Sequence, residues 1–319
     1  MPAIAGIFLS AVSMHISMQR LKMIIEAWVL WTLLAAGMQS VRTAGQKRLA
    51  EVVSPLTATL VRYLFGLPFA WLYLAFLAEQ RNWQFPDLNP VFLWSGFLAG
   101  ILQIVATILL VRLFAMRNFA VGTTFVRSEI LLTALIGIAF FTEQISLLGW
   151  IAMFASVGGL ILISVARQDG ISSLWNLSAA FGLGAGLAFA LTSLFLRQAS
   201  LSLGLDDAAF SAGLTLVYMV TLQTVICLVM VGIQKPQELG QLKDLLKPSI
   251  FVGVTSVLGS AGWFTAMTLQ SASYVKTLGQ VEFLITLTLS IFYFKEKPTP
   301  MELLGMGLIV LGAVLLLLT

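Results

Sequence analysis

The chain has 319 residues, of which 59% are hydrophobic and only 10% are charged, whereas about a quarter of the residues of a soluble domain are charged. This composition excludes an ordinary soluble domain and indicates an integral membrane protein. The net charge of +4 does not indicate nucleic-acid binding, because the basic residues lie singly or in pairs between apolar runs, as juxtamembrane anchors do. With one cysteine, Cys227, and one histidine, His15, we expect no disulfide, no metal and no cofactor.

The first 22 residues hold an apolar run that is short for a membrane span. They also lack the charged region that precedes the core of a signal peptide. Residues 1–22 are therefore expected to be either an interfacial segment or an over-extended start, with Met23 as the alternative first residue.

Ten apolar segments follow, each close to the ~20 residues that a helix needs to cross the hydrocarbon core. The connections between them are short and carry the Pro, Gly and charged residues that stop apolar helices. Because the segments are apolar on all sides and longer than barrel strands, an all-α integral membrane protein is predicted. The predicted spans are 27–44, 56–78, 91–115, 119–141, 145–165, 175–196, 208–233, 248–270, 273–294 and 302–318.

The second half of the chain repeats the first. Residues 278–297 align without gaps to residues 125–144 at an offset of 153, and six of the twenty positions are identical. Five helices in each repeat is an odd number, so the second repeat enters the membrane from the opposite side. The sequence therefore predicts ten transmembrane helices as two inverted five-helix repeats, residues 23–167 and 174–319, with substrate at the repeat interface near the midplane.

Each half also contains an apolar helix that ends in Phe-Phe-Thr-Glu (140–143) or Tyr-Phe-Lys-Glu (293–296), followed by a glycine-containing last helix. This pattern resembles the EamA-type transporters of the drug/metabolite transporter superfamily, over about residues 24–318. The resemblance implies ten helices around a central cavity and the transport, often export, of amino acids or other small metabolites. It also implies use of the proton gradient or exchange, and no GxxxxGK[ST] motif for ATP is present in the sequence.

Ionisable residues inside the predicted spans are candidates for the substrate or proton path, because such groups face a cavity or the bundle interior rather than lipid. Arg112 lies near a helix end and is expected to snorkel. Arg62 and Lys276 fit either the cavity or the membrane interface. Arg42 is counted among the basic residues that flank the spans.

Glu129 and Glu282 are the leading candidates, since they occupy the same position in the two repeats. On a helix, Glu129 shares a face with Thr133, and Glu282 shares one with Thr286. Each hydroxyl is therefore expected to donate to the carboxylate of its partner.

The equivalent of Arg127 in the second repeat is Gln280, so this position is charged in one half only. Arg127 projects away from Glu129 and needs another partner. Our hypothesis is that the symmetric glutamates serve the conformational cycle or protonation, whereas Arg127 and Gln280 recognise substrate. The alternative is that both glutamates are structural and remain locked by bonds between helices.

Polar or aromatic residues in other spans are further candidates for the cavity wall, namely Gln39, Gln103, Tyr218 and Trp263. Glu143 lies 14 residues after Glu129, and Glu296 lies 14 residues after Glu282. Each separation is about 21 Å along a helix. Glu143 and Glu296 are expected at the membrane face, where they would set packing.

The sequence thus predicts a secondary active transporter of the inner or plasma membrane, an exporter of a small polar metabolite such as an amino acid. Alternating access coupled to protons is the expected mechanism, and the expected partners are the solute, the lipid bilayer and a second copy of the chain. One alternative is a nucleotide-sugar, sugar-phosphate or lipid-linked carrier with Arg62, Arg127 and Lys276 as phosphate ligands. The alternative of another class is an intramembrane enzyme or a structural subunit, but no catalytic residue is assigned.

Overall fold

A computed structural model describes residues 26–114, 116, 125–166, 177–285 and 299–319. Within these ranges the regular structure consists of helices. The helices, numbered here in chain order, are α1 (Ala27–Leu49), α2 (Pro55–Leu64), α3 (Leu67–Glu79), α4 (Pro90–Phe114), α5 (Glu129–Phe140), α6 (Leu147–Ala166), α7 (Leu177–Ser202), α8 (Ala208–Gln234), α9 (Pro236–Gln241), α10 (Leu246–Leu269), α11 (Ala272–Leu278) and α12 (Pro300–Leu316).

Several helices begin where a side chain can accept a hydrogen bond from the unpaired amides of the first turn. α2 follows Ser54, whose hydroxyl accepts from the Thr57 amide, and Pro55 stands in its first turn. α8 follows Asp207, whose carboxylate accepts from the Phe210 amide. Both starts lie within one residue of those predicted from the sequence.

Six helical segments of the described residues are long and apolar enough to cross a membrane. α5 and α12 are shorter apolar helices, and α1 carries basic residues in its second half. The all-helical membrane fold is therefore confirmed, whereas the count of ten spans remains a prediction. The six segments are Pro55–Glu79, Pro90–Leu113, Leu147–Val165, Leu177–Ser202, Ala208–Gln234 and Leu246–Leu269.

The second predicted span is divided into α2 and α3. Pro68 stands in the first turn of α3, and a proline has no amide proton to bond the carbonyl one turn earlier. The break falls at Phe65 and Gly66, where the backbone lies close to α10: a Cβ on Gly66 would come 3.3 Å from the Gly253 carbonyl oxygen.

The segments that carry Glu129 and Glu282 are each interrupted just before the glutamate, where the sequence predicted continuous helices. Backbone turns occur at residues 127–128 and 279–280. Hydrogen bonds three residues apart tighten them, from the Ile130 amide to the Arg127 carbonyl (3.2 Å) and from the Phe283 amide to the Gln280 carbonyl (2.9 Å). These two bonds are equivalent under the 153-residue offset, so the repeat extends to the backbone conformation.

The most extensive helix packing joins the two halves of the chain. α1 packs along α10, α4 along α7, and α6 along α12. The first predicted span of each half therefore packs on the third predicted span of the other half, and the last span packs on the last. Such reciprocal pairing is expected when a two-fold axis relates the halves, and it places the largest cluster of buried apolar residues along their interface.

Candidate functional site

A buried cavity lies between α1, α2 and α4 of the first half and α7, α10 and α11 of the second. Its volume of about 30 Å³ leaves room for about two water molecules. A smaller space of about 10 Å³ shares Arg62, Gln103 and Ser260 with it. The polar lining is Gln39, Arg42, Arg62, Gln103, Thr192, Ser193, Ser260 and Lys276, and the apolar and aromatic lining is Phe189, Leu196, Trp263, Phe264 and Met267.

Glu129 pairs with Lys276 across the interface between the halves. The Lys276 ammonium contacts the Glu129 carboxylate, and both side chains are largely buried. The ammonium also lies 4.9 Å from the centre of the Trp263 ring and 5.9 Å from that of Phe189, within range of cation–π attraction. The sequence fits Lys276 either at the cavity or at the membrane interface. In the structure Lys276 lies at the cavity and is paired with Glu129.

Glu282 belongs to a second polar chain that also crosses between the halves. The Gln39 amide donates to the Glu282 carboxylate at 2.8 Å, and the Trp263 indole donates to the Gln39 carbonyl at 3.0 Å. Glu282 also interacts electrostatically with Arg42 and Arg127. Gln39 and Trp263, two of the weaker sequence candidates, thus meet in one network.

Glu129 is the first residue of α5, directly after the backbone turn described above. A carboxylate at a helix N-terminus is stabilised by the partial positive charge of the unpaired amides. The expected bond from Thr133 is wrong: its hydroxyl donates to the backbone carbonyl of Glu129 at 2.7 Å, as threonines in helices commonly do. Thr286, the equivalent in the second half, lies outside the described residues.

Arg127 and Gln280 do not line the cavity. The Arg127 guanidinium stacks over the Phe283 ring at 4.1 Å and interacts electrostatically with both Glu129 and Glu282. The Gln280 amide donates to the Lys276 carbonyl at 2.8 Å. Both residues therefore lie next to the glutamate networks, behind the side chains that face the cavity.

Arg42 and Arg62 are buried side chains on the cavity wall, each only 5% exposed. Arg62 donates to the Thr107 hydroxyl at 3.2 Å. Counting Arg42 among the flanking basic residues was wrong, because α1 continues to Leu49 and turns Arg42 inward. Arg42 follows Gln39 by three residues, so both lie on one helix face. This spacing in the sequence could have predicted that Arg42 faces the cavity.

Gln103 and Tyr218 complete the predicted set. Gln103 lines the cavity, and its side-chain oxygen accepts from the Gln223 amide at 2.8 Å. Tyr218 lies elsewhere: its hydroxyl donates to the Leu93 carbonyl, and its ring packs on Phe92.

Glu143 lies in the connection between α5 and α6 and is buried, with 7% exposure. Its carboxylate accepts hydrogen bonds from the Ala272 amide at 2.7 Å and from the Ser273 hydroxyl at 2.5 Å, at the start of α11. Arg197 approaches the same carboxylate at 3.7 Å. Glu143 thus holds the helix that carries Lys276, whereas its counterpart Glu296 lies outside the described residues.

The described residues contain no group of three His, Cys, Asp or Glu side chains placed to hold a metal ion. What the site offers is a set of charged and hydrogen-bonding groups shared between the halves. Such an arrangement can bind a polar solute through charged and hydrogen-bonding groups of both halves.

Fold and site together define the class: a helical membrane protein whose two similar halves enclose a polar cavity. The sequence pattern of the EamA-like transporter family matches residues 26–165 and 176–318, one match in each half. The chain belongs to the EamA-like transporter family, in agreement with the resemblance to the drug/metabolite transporter superfamily.

A solved structure titled "Crystal structure of protein" is similar to this chain with a TM-score of 0.69. It is 13% identical in sequence, and the match covers 91% of this chain and 95% of that chain. A likeness at this identity shows the fold alone. No curated protein matches the chain.

Proposed function

We propose that the protein is a secondary active transporter that exports a small polar metabolite, such as an amino acid, by alternating access. The observation that carries this proposal is the cavity between the halves, beside which Glu129 pairs with Lys276 and Glu282 binds Gln39 from one half to the other. Groups that hold the halves together around a polar space are the groups that must exchange partners when the space opens.

The cavity volume of about 30 Å³ is too small for an organic solute. The halves must therefore separate on one side for a solute to enter, and on the other for it to leave. In this scheme the chain crosses the inner or plasma membrane with its repeats, residues 23–167 and 174–319, inverted about an axis in the membrane plane. Pairing of two copies of the chain is a further part of the proposal.

The same contacts support the further proposal that transport is coupled to protons. Protonation of Glu129 would remove the negative partner of Lys276, and protonation of Glu282 would weaken the bond that it accepts from Gln39. Either event would loosen a contact between the halves, so proton binding would favour opening.

The second candidate is a nucleotide-sugar, sugar-phosphate or lipid-linked carrier of the same fold. The three basic residues on the cavity wall, Arg42, Arg62 and Lys276, favour it. The EamA-like family is a family of transporters, which favours a carrier over an intramembrane enzyme or a structural subunit.

The direct test is solute flux in liposomes containing the purified protein, across a panel of amino acids, polyamines and sugar phosphates. We expect counterflow of at least one solute that protein-free liposomes do not show. Glu129→Gln and Glu282→Gln should each lose the dependence of flux on pH between about pH 5 and 8. Normal pH-dependent flux in both variants would exclude the proton role, and no flux with any solute would contradict the transport function.

A further inference from the structure

The ionisable residues on the cavity wall are all basic within the described part of the chain. Arg42, Arg62 and Lys276 line the space. Glu129 and Glu282 stand behind this lining, one bound to Lys276 and the other to Gln39. The surface that a solute would meet is therefore positively charged.

The three basic side chains differ in the partners that they already have. Lys276 has a carboxylate partner in Glu129. Arg62 has a neutral partner, the Thr107 hydroxyl. Arg42 interacts electrostatically with Glu282, but it makes no hydrogen bond to the described residues, and its Nε is buried and unpaired. Two guanidinium groups thus face the cavity with donors to spare, since each carries five N–H groups.

Arg42 and Arg62 line the same cavity, and their like charges repel each other. Among the described residues, this part of the interior holds four basic side chains, Arg42, Arg62, Arg127 and Lys276, against the acidic Glu129 and Glu282. Uncompensated charge in a membrane interior is costly. An anion between the arginines would remove this cost, and guanidinium groups bind carboxylate and phosphate through paired hydrogen bonds.

We propose that Arg42 and Arg62 form the binding site for an anionic group, a carboxylate or a phosphate, on a transported solute that carries net negative charge. The aromatic rings of Phe189, Trp263 and Phe264 on the same wall would hold the apolar part of that solute. This inference rests on the proposed transport function and narrows its substrate class, because it favours acidic solutes over zwitterionic and cationic ones.

The test is binding of ligands that share a phenyl ring and differ in charge. Phenyl phosphate, phenylacetate, phenylalanine and phenethylamine are titrated calorimetrically into the purified full-length protein at neutral pH. We expect both anions to bind more tightly than phenylalanine, and phenethylamine to bind most weakly. The tighter of the two anions then assigns the headgroup as phosphate or carboxylate.

Arg42→Gln and Arg62→Gln should each weaken binding of the preferred anion about tenfold or more. Arg42→Lys, which keeps the charge, should restore part of the affinity. Arg112→Gln is the matched control, because Arg112 is a basic residue of α4 that is exposed on the outside of the bundle. Melting temperature and gel-filtration profile without ligand separate a binding defect from a folding defect.

The inference is overturned if phenylalanine or phenethylamine binds as tightly as both anions, or if the folded Arg42→Gln and Arg62→Gln proteins keep full anion affinity. Anion binding without flux in liposomes would contradict the transport function and leave the anion site standing. Flux of a cationic or zwitterionic solute that does not depend on Arg42 and Arg62 would support the transport function and overturn the anion site.

Discussion

Two charged residues inside this bundle, Lys276 and Arg127, contact partners in the other half of the chain rather than on their own helices. Lys276 of α11 pairs with Glu129 of α5, and Arg127 stacks on Phe283. Taking an ion out of water costs several kcal/mol, and a partner of opposite charge recovers that cost only when the geometry is close. Each pair therefore works as a contact between the halves whose strength depends on both members.

Removing one member of the pair of Lys276 and Glu129 should lower the stability of the protein more than removing both members. Lys276→Met leaves the Glu129 carboxylate buried without its partner and should destabilise the protein by about 3 kcal/mol. The double variant Lys276→Met/Glu129→Gln should regain part of that loss, because no unpaired charge remains. Thermal unfolding in detergent measures both, with Lys243→Met on an exposed connection as the control. A single variant as stable as the wild type would contradict the structural role of the pair.

Glu238 of α9 provides a pH-dependent contact outside the spans. Partial burial raises the pKa of Glu238, but hydrogen bonds from Thr57 and Ser54 and the charge of Lys235 outweigh burial and lower the pKa below its ordinary value of 4.5. The Ser54 hydroxyl donates to this carboxylate at 2.7 Å.

A carboxylate with a lowered pKa stabilises the folded state above its ordinary pKa, and this contribution is lost as the pH falls through the lowered value. The melting temperature should therefore fall more steeply below pH 4.5 in the wild type than in Glu238→Gln. Asp244→Asn, at an exposed residue of the same connection, serves as the control. Parallel curves for the wild type and Glu238→Gln would refute this contribution.

At the scale of the helix, the two broken segments matter most. The turns at residues 127–128 and 279–280 place each glutamate near the start of a new helical segment. Broken helices at membrane depth are found where they line a cavity, because their freed backbone groups need polar partners. Sequence periodicity did not predict the breaks, since these residues include no proline and only Gly279 has a special backbone preference.

The last helices of the two halves, α6 and α12, pack through glycines. A Cβ on Gly159 would lie 2.5 Å from the Gly305 carbonyl oxygen, whereas a Cβ on the adjacent Gly158 would meet nothing within 4 Å. Gly159→Ala should therefore destabilise the protein by about 1–3 kcal/mol through overpacking.

Gly158→Ala is the matched control. It should be neutral or stabilising by up to about 1 kcal/mol, because alanine favours the helix. Chemical unfolding of the two variants in detergent compares them directly. Equal effects from both substitutions would contradict the close approach of α6 and α12.

At the scale of the whole molecule, much of the fold could be predicted because apolar length and repetition are local signals. The starts of α2 and α8 and the shared glutamates were evident from the sequence. The pairing of Glu129 with Lys276 and of Glu282 with Gln39 could not be predicted, because it depends on how helices of different halves meet. The position of Arg42 was predicted wrongly for a related reason. The polar end of α1 has the composition of a loop that flanks a span, and only its packing along α10 buries it.

In the proposed transport cycle, the cavity opens to each side of the membrane in turn. Ser260 lines both the cavity and the smaller space beside it, so a cysteine at this position reports access. The variant Ser260→Cys is made in a Cys227→Ala background, which removes the chain's single native cysteine. Leu258→Cys is the control, because Leu258 lies on the same helix and is 45% exposed on the outside of the bundle.

The measurement is modification by a membrane-impermeant thiol reagent, applied to right-side-out and inside-out vesicles. We expect Ser260→Cys to be modified from both sides and the lipid-facing Leu258→Cys to be modified from neither. Modification of Ser260→Cys from one side only, or from neither, would contradict alternating access.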